Sequence, residues 1–288
     1  MHTFLQKLQK YISPIILLVV IISALFLFSQ EILSKKQARI IFLDVGQGDA
    51  ILIISPNGRQ VLVDSGKYDD ISMKITKYMP FSDRSLDFVI VTHPDIDHIA
   101  GFNALLDEYE IGTFIHSGLL AGAPVYRSIA KKVQKYHIPQ HQAVAGEKIF
   151  LDKDMYLEIL SPYTGQKVED ANSASVVVHL LYRGHDVLLT GDAPQKIEQN
   201  LLSLYGKRLK SDILKMGHHG SKNSSGRKFV ESVNPQYGII SAGCHNRYGH
   251  PSARVLRLLD DLKITELSTC ETGDIIFDFV DNGWVLKK

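Results

Sequence analysis

The chain has 288 residues, of which 45% are hydrophobic and 22% are charged, and its formal net charge is +1. Because the charges nearly balance, there is no global electrostatic footprint for nucleic acid, and any nucleic-acid contact must be local. The two cysteines, Cys244 and Cys270, exclude a disulfide scaffold and lack Cys-x-x-Cys spacing. We interpret them as small core residues, with one disulfide as the alternative.

The amino-terminal segment is predicted to anchor the chain in the cytoplasmic membrane. No charged residue lies between Tyr11 and Ser29, and this apolar stretch is long enough to cross a hydrocarbon core. A cleaved signal peptide is the alternative, but no small-x-small cleavage site follows. We expect residues 1–37 to form a transmembrane helix and linker, and residues 38–288 to form one domain. Nearly equal numbers of basic residues lie before and after the apolar stretch, so charge alone decides little about orientation. The short amino-terminal flank favours a single-pass protein with an extracytoplasmic domain.

The rest of the chain predicts an alternation of strands and helices. Strands are expected at Arg39–Leu43, Ala50–Ile54, Gln60–Val63, 87–92, 112–116, Tyr156–Leu160, Ser175–Tyr182, Asp186–Leu189, 212–216 and 237–241. Helices are expected at about 69–79, after Gly101, and at about 125–137, 194–204, 226–233 and 252–262. Continuous apolar strands indicate α/β sheets covered on both faces. Two sheets with helices outside them form a four-layer αββα sandwich.

Three of the predicted strands end in clusters of metal-ligand residues. Thr92-His93-Pro94-Asp95-Ile96-Asp97-His98 follows the strand at 87–92, Thr190-Gly191-Asp192 follows Val187-Leu188-Leu189, and Gly217-His218-His219-Gly220-Ser221 follows Ile213-Leu214-Lys215. Imidazole nitrogen and carboxylate oxygen together suit zinc, manganese or iron. We therefore expect the three strand ends to converge on one metal centre.

These clusters, together with Asp64-Ser65-Gly66, resemble the metallo-β-lactamase superfamily. More narrowly, the chain is similar to the extracytoplasmic metallo-β-lactamase-like domain of the ComEC DNA-uptake proteins. The narrower resemblance lies in five blocks in the same order: Leu43–Asp49, Thr92–Gly101, Leu189–Ala193, Gly217–Ser221 and Asn246–Pro251. It covers nearly all of residues 39–280 and implies a metallo-β-lactamase-like sandwich.

The resemblance also implies two divalent metal ions, zinc or manganese, and a role for each cluster residue. His93 would face one metal, while Asp97 and His98 face the second. Asp95 stands where many members have a histidine, which favours manganese. Asp192 matches the bridging carboxylate, with a helix N-cap as its alternative role. One of His218 and His219 would bind the second metal and the other the substrate, and this choice stays open.

Other residues are expected around the metals. Asp64 is predicted to orient a ligand histidine, with turn chemistry as the alternative. His250 and Arg247 are candidates for contacts to a phosphate or a leaving group, and Ser221 is a candidate donor to phosphate. Asn172 stands where many members place a further histidine, and we assign it to substrate binding. The catalytic candidates are Asp97, His219 and His250, and we expect structural roles for His179 and His185.

The function implied is a membrane-anchored dimetal phosphodiesterase, most simply a nuclease acting on single-stranded DNA outside the cytoplasmic membrane. Its partners would be DNA or another phosphodiester, the membrane through residues 11–29, and DNA-uptake channel proteins. One alternative is a phosphoester hydrolase for cell-wall or choline-phosphate substrates. Another is a non-catalytic accessory domain for DNA uptake. Asp95 and the missing third histidine disfavour a lactamase.

Overall fold

A computed structural model describes residues 14, 16–23, 37–119 and 122–287. Residues 16–23 are helical and exposed. Within the described part of the chain, no helix combines the length and apolarity that a bilayer crossing requires. Most of the remaining residues of the predicted span at 11–29 lie outside the described residues.

The described chain forms two β-sheets. The first has eight strands in the order β15-β14-β1-β2-β3-β4-β5-β6, and the second has seven in the order β13-β12-β11-β10-β9-β8-β7. The strands of the first sheet are β1 (Arg39–Phe42), β2 (Ile51–Ile54), β3 (Gln60–Val63), β4 (Ser85–Val91), β5 (Glu110–His116), β6 (Gln140–Gln142), β14 (Ile275–Val280) and β15 (Gly283–Leu286). Those of the second are β7 (Lys148–Asp152), β8 (Met155–Ser161), β9 (Val177–Tyr182), β10 (Val187–Leu189), β11 (Ile213–Lys215), β12 (Tyr237–Ile240) and β13 (Thr265–Ser268).

Helices cover the outer face of each sheet. The described α-helices of the domain are α1 (Ile71–Thr76), α2 (Ile96–Ile99), α3 (Phe102–Glu108), α4 (Pro124–Lys135), α5 (Gln195–Tyr205), α6 (Arg227–Val233), α7 (Ala253–Asp261) and α8 (Thr269–Thr272). Side chains of α1, α3 and α4 pack on the first sheet. Those of α5, α6 and α7 pack on the second.

Strand periodicity explains the layers. In β2, Ile51 and Ile53 point into the core between the two sheets, whereas Leu52 points outward to the helices. Both faces of this strand are therefore apolar, and full burial of each such side chain contributes about 1.5–3 kcal/mol. The predicted four-layer αββα sandwich is confirmed.

The strand directions bring the polar clusters to one end of the sandwich. Strands β3, β4, β5 and β6 are parallel neighbours, as are β10, β11, β12 and β13. Their carboxyl ends therefore lie on common edges. The backbone N–H of Val176 donates to the carbonyl of Thr92 at 2.9 Å and joins the two sheets at this end.

Two expectations need correction. Cys244 is exposed and Cys270 is half-buried, and the two form a disulfide with their Cα atoms 5.0 Å apart. They are therefore not core residues. The prediction also omitted β6, β7 and β13 to β15, of which β14 pairs with β1 inside the first sheet.

Candidate metal centre

The Oδ2 atom of Asp192 is surrounded by four imidazole rings. It lies 3.7 Å from Nε2 of His93, 3.4 Å from Nε2 of His98, 3.6 Å from Nε2 of His218 and 3.5 Å from Nε2 of His219. Residues from the ends of β4, β10 and β11 therefore converge as the sequence predicted. A carboxylate in this position can serve both halves of a two-metal site.

The histidine rings are held by their other nitrogen atoms. Nδ1 of His98 donates to Oδ2 of Asp64 at 2.7 Å, and Nδ1 of His219 donates to the Ser241 carbonyl at 2.8 Å. Nδ1 of His93 lies 3.0 Å from the Thr92 hydroxyl, which in turn donates to Asp64. These bonds favour the tautomer in which the Nε2 lone pair is free. Asp64 is thus bonded to His98, one of the predicted ligand histidines.

Several buried atoms of the cluster are left without a hydrogen-bond partner in the described part of the chain. They are Nε2 of His93, His98 and His219, and one oxygen of Asp192. A buried polar atom without a partner is costly, and a bound cation would satisfy these lone pairs. The donor set of imidazole and carboxylate therefore fits a divalent metal.

The cluster divides into two halves about Asp192. Oδ2 of Asp97 lies 3.4 Å from Nε2 of His219. The His98 ring lies between the two sides, with its centroid 4.1 Å from that of His93 and 5.2 Å from that of His219, and the family resemblance assigns it to the side of Asp97. Oδ2 of Asp95 lies 3.6 Å from Nε2 of His93 on the other side. Asp192 stands between the halves and could contribute to both.

The two adjacent histidines of the third cluster have different surroundings. The side chain of His219 is 1% exposed, whereas that of His218 is 27% exposed. His218 places Nδ1 3.4 Å from the amide of Asn172. The buried His219 lies beside Asp97, and the more exposed His218 lies at the open side of the centre.

The backbone is strained where it delivers these side chains. His218, His219 and Asp64 have φ values of 48°, 56° and 58°, a left-handed region that costs about 1–2 kcal/mol for each non-glycine residue. Such strain typically marks functional sites. Gly48 has φ of +132°, and a Cβ there would lie 2.1 Å from the carbonyl oxygen of Asp97. Only glycine lets this loop pack against the metal-ligand segment.

The electrostatics of the cluster are dominated by its carboxylates. Burial alone would lower the pKa of His219, but Asp192 and Asp49 outweigh it and raise the pKa to about 9. Burial also opposes the ionisation of Asp192, yet the surrounding histidines hold its pKa well below the usual range. Positive charge is therefore favoured around Asp192, as a cation site requires.

Sequence reasoning missed Asp49 and Lys215. Asp49 was considered only as the end of the block Leu43–Asp49. Its Oδ1 atom lies 3.3 Å from Nδ1 of His219, and its Oδ2 atom lies 2.9 Å from Nζ of Lys215. Asp49, His98, Asp192 and His219 could each offer one ligand atom, but Asp49 is on the Nδ1 side of His219. We assign it to holding that ring. A lysine at the end of the apolar strand Ile213–Lys215 was the available signal.

His250 lies over the open side of the cluster. Its ring centroid is 5.4 Å from that of His218 and 6.4 Å from that of His219, and it stacks on Tyr248 at 5.9 Å. Asn246 fixes the loop by accepting the backbone N–H of His250 at 3.0 Å. Burial and the neighbouring histidines lower the pKa of His250 to about 4, so its ring is neutral at physiological pH.

The remaining predicted residues have other contacts. Arg247 is exposed and donates to the Tyr248 hydroxyl at 3.2 Å, and Ser221 accepts the backbone N–H of Asn223 at 3.3 Å. Neither contact reaches the four-imidazole cluster. His179 bonds Ser211 at 3.1 Å, and His185 bonds Asp212 at 2.6 Å. These two histidines hold loops away from the centre.

Residues 43–245 match the family model of the metallo-beta-lactamase superfamily, and the chain belongs to this superfamily. It is 30% identical over 262 residues to ComE operon protein 3 of Bacillus subtilis (strain 168), covering 85% of this chain and 33% of that protein. It is 30% identical to Competence protein ComA of Neisseria gonorrhoeae over 90% of this chain and 35% of that one. The chain thus spans about a third of the length of these relatives.

Solved structures share the fold at low sequence identity. The metallo-beta-lactamase fold protein YhfI from Bacillus subtilis aligns with a TM-score of 0.56 and 14% identity, over 84% of this chain and 99% of that one. CmlA, a diiron beta-hydroxylase from Streptomyces venezuelae, aligns with a TM-score of 0.53 and 12% identity, over 80% of this chain and 52% of that one. At these identities the comparisons support the fold alone.

Proposed function

We propose that the chain is a membrane-anchored, metal-dependent phosphodiesterase that cleaves single-stranded DNA outside the cytoplasmic membrane. The observation that carries the hydrolytic part is the convergence of four imidazole Nε2 atoms on Asp192 Oδ2, at 3.4–3.7 Å. The similarity to ComE operon protein 3 and Competence protein ComA supports DNA as the substrate. Channel proteins for DNA uptake are the partners that this proposal implies.

The residues that would hold two divalent ions are divided between the halves already described. His93 and Asp95 belong to one half, Asp97, His98 and His219 to the other, and Asp192 would bridge them. When bound, two such ions supply charge stabilisation at a phosphoryl oxygen and a water nucleophile at neutral pH. The carboxylate Asp95 makes its half richer in oxygen, which favours manganese over zinc.

The open side of the cluster would receive the phosphodiester. Neutral His250 could accept a proton or donate a hydrogen bond to a phosphoryl oxygen. The side chain of Asn172 lies beside His218 and keeps Oδ1 without a hydrogen-bond partner among the described residues. Its amide could bind a non-bridging oxygen. Arg247 is on the same loop as His250. To bind a DNA phosphate, its guanidinium would have to move away from the Tyr248 ring.

The disulfide supports the outward orientation of the domain. Disulfides such as Cys244–Cys270 persist in oxidising compartments and are rare in the cytosol. The uncharged stretch from Tyr11 to Ser29 supplies the anchor in this proposal. Protease added to intact cells should therefore digest the domain, and complete protection would contradict this orientation.

The test uses the full chain purified in detergent, stripped with a chelator and reloaded with manganese or zinc. We expect it to cleave labelled single-stranded DNA and to lose activity without metal. Asp192→Asn should abolish cleavage, whereas Asp154→Asn, at an exposed aspartate paired with Arg183, should not. Cleavage that survives complete metal removal would refute the mechanism. DNA binding without cleavage in every metal would identify an accessory domain instead.

A further inference from the structure

A cavity lies on the far side of the turn Asn172–Ala174 from the metal centre. It has a volume of about 390 Å³, within the roughly 300–1,000 Å³ typical of small-molecule pockets. Its lining includes Ser117, Gln142, Tyr163, Gln166 and Ala174. No charged side chain of the described residues lines it, in contrast to the neighbouring cluster of histidines and aspartates.

The strand register explains why the cavity lies beside the centre. Val91 of β4 pairs with His116 of β5, and His116 pairs with Gln142 of β6. Neighbouring strands are about 4.8 Å apart. Ser117 is therefore one strand spacing from the metal-ligand segment that starts at Thr92, and Gln142 is one spacing further along the same edge.

One short turn forms the wall between the two sites. The 3₁₀ turn Asn172–Ala174 directs Asn172 toward His218, with a separation of 3.4 Å, while Ala174 lines the cavity. Gln166 donates to the carbonyl of Ser173 at 2.7 Å and ties the cavity wall to this turn. A molecule bound across the turn would touch both sites.

We propose that this cavity binds the nucleobase next to the phosphate that is cleaved, an inference that rests on the proposed function. A phosphate would call for cationic partners, which the lining lacks. A base requires a flat apolar surface and hydrogen-bonding edges. Tyr163 is the single aromatic side chain of the lining, and the exposed Gln142 offers an amide with a donor and an acceptor.

The packing of Gln142 supports this assignment. Gly118 has φ of +83°, and a Cβ at that position would lie 2.2 Å from Nε2 of Gln142. Glycine therefore allows the amide to lie against the backbone at the edge of the cavity. Tyr163 is fixed at its far end, where its hydroxyl accepts the Asn200 amide at 3.2 Å. Tyr163 is thus held in place before a ligand binds, and Gly118 leaves room for the Gln142 amide at the cavity edge.

The experiment compares two esters with the same leaving group, using the full chain in detergent with manganese. Thymidine 5′-(p-nitrophenyl phosphate) carries a base, and bis(p-nitrophenyl) phosphate does not. Gln142→Ala and Tyr163→Leu should each lower kcat/KM for the thymidine ester about tenfold. Hydrolysis of the other ester should stay within about twofold of wild type. Gln236→Ala is the matched control, since this exposed glutamine precedes β12 at the opposite end.

Other results would overturn the proposal. An equal loss for both esters would mean that the cavity residues act through the metal centre, and no loss for either would mean that the base does not reach the cavity. The same tenfold loss with an abasic sugar ester would show that the cavity binds the sugar.

Thymidine binding to the metal-free chain separates this inference from the proposed hydrolysis. Binding that weakens about tenfold in Gln142→Ala would support the cavity even if neither ester were cleaved. In that case the proposed hydrolysis would be refuted, and the proposed base-binding cavity would stand. Absence of thymidine binding in the wild type, with both esters cleaved at similar rates, would refute the cavity and leave the proposed function standing.

Discussion

Lys215 and Asp49 form an ion pair that has no access to solvent. Nζ lies 2.9 Å from Oδ2, and the two side chains are 0% and 1% exposed. Burial disfavours charge on Asp49, but Lys215 and His219 outweigh it and hold the pKa of that carboxyl below its usual range. The pair connects β11 with the loop before β2, and Asp49 lies against the Nδ1 side of the His219 ring.

We predict that Lys215→Met destabilises the domain, because it leaves the Asp49 carboxylate buried without its partner. The free energy of unfolding should fall by about 3–5 kcal/mol, measured by urea denaturation. Lys263→Met, which removes an exposed pair with Asp260, is the control and should change little. A loss as small as in this control would show that the pair is not needed.

We predict that Asp192→Asn removes bound metal as well as activity. This residue approaches four imidazoles, so losing its charge weakens both halves of the centre. Metal analysis after dialysis should find well under half of the wild-type manganese. Asp154→Asn should keep the full amount. Normal metal content in the Asp192 variant would exclude Asp192 as a ligand.

We predict that His250→Ala impairs turnover but not metal content. Its ring contacts His218 and His219 from the open side, where a substrate would enter. A hydrogen-bond donor that stabilises charge developing in the transition state typically contributes about a hundredfold or more, so kcat should fall by this order. His245→Ala, an exposed histidine on the same loop, should have no effect. If the His250 variant loses its metals, or keeps a normal kcat, its assignment to the substrate side is wrong.

We predict that acid destabilises the domain through His179. Burial lowers its pKa from 6.5 to about 4, so between these values the unfolded chain binds more protons than the folded one. The contribution of His179 to the free energy of unfolding is therefore fully present above pH 6.5. It is lost as the pH falls toward 4, by about 3 kcal/mol. His179→Gln should flatten this part of the pH profile. His137→Gln, at an exposed turn, should not.

We predict that reduction of Cys244–Cys270 lowers the free energy of unfolding by about 3 kcal/mol, because the bond closes a loop with a sequence separation of 26. Denaturation with and without a reductant measures the effect. The double variant Cys244→Ser, Cys270→Ser should show the lower stability and no response to the reductant. A reductant response in that variant would place the effect elsewhere.

The site was predictable where its signals are local. His93, Asp97 and His98 follow a strand within a few residues, as Asp192 and His219 do, so the candidate ligands could be read from the local sequence. The pairing of Asp49 with Lys215 was not predictable, because it depends on how β11 packs against the loop before β2. Cys244 and Cys270 also gave no local sign of their partnership.

The strands that were not predicted were also missed either because their local pattern is weak or because their position depends on distant contacts. Gln140–Gln142 is polar and exposed, so no apolar pattern reveals β6, and it pairs only because β5 presents a free edge. The strand at Ile275–Val280 does alternate buried and half-buried residues. Its place beside β1, however, depends on a contact between the two ends of the domain.

That contact has a consequence for how the domain can be joined to other polypeptides. Arg39 of β1 is in register with Asp278 of β14, and the carbonyl of Ala38 accepts the backbone N–H of Phe279 at 2.8 Å. The chain enters the sandwich on β1 and leaves it on β15, with β14 between them. Leu286 is in register with Phe277, which is in register with Ile40, so the two ends lie about 10 Å apart. A domain whose ends are neighbours can be inserted into a loop of a longer protein without stretching either side. The domain is therefore suited to being inserted as a unit into other proteins.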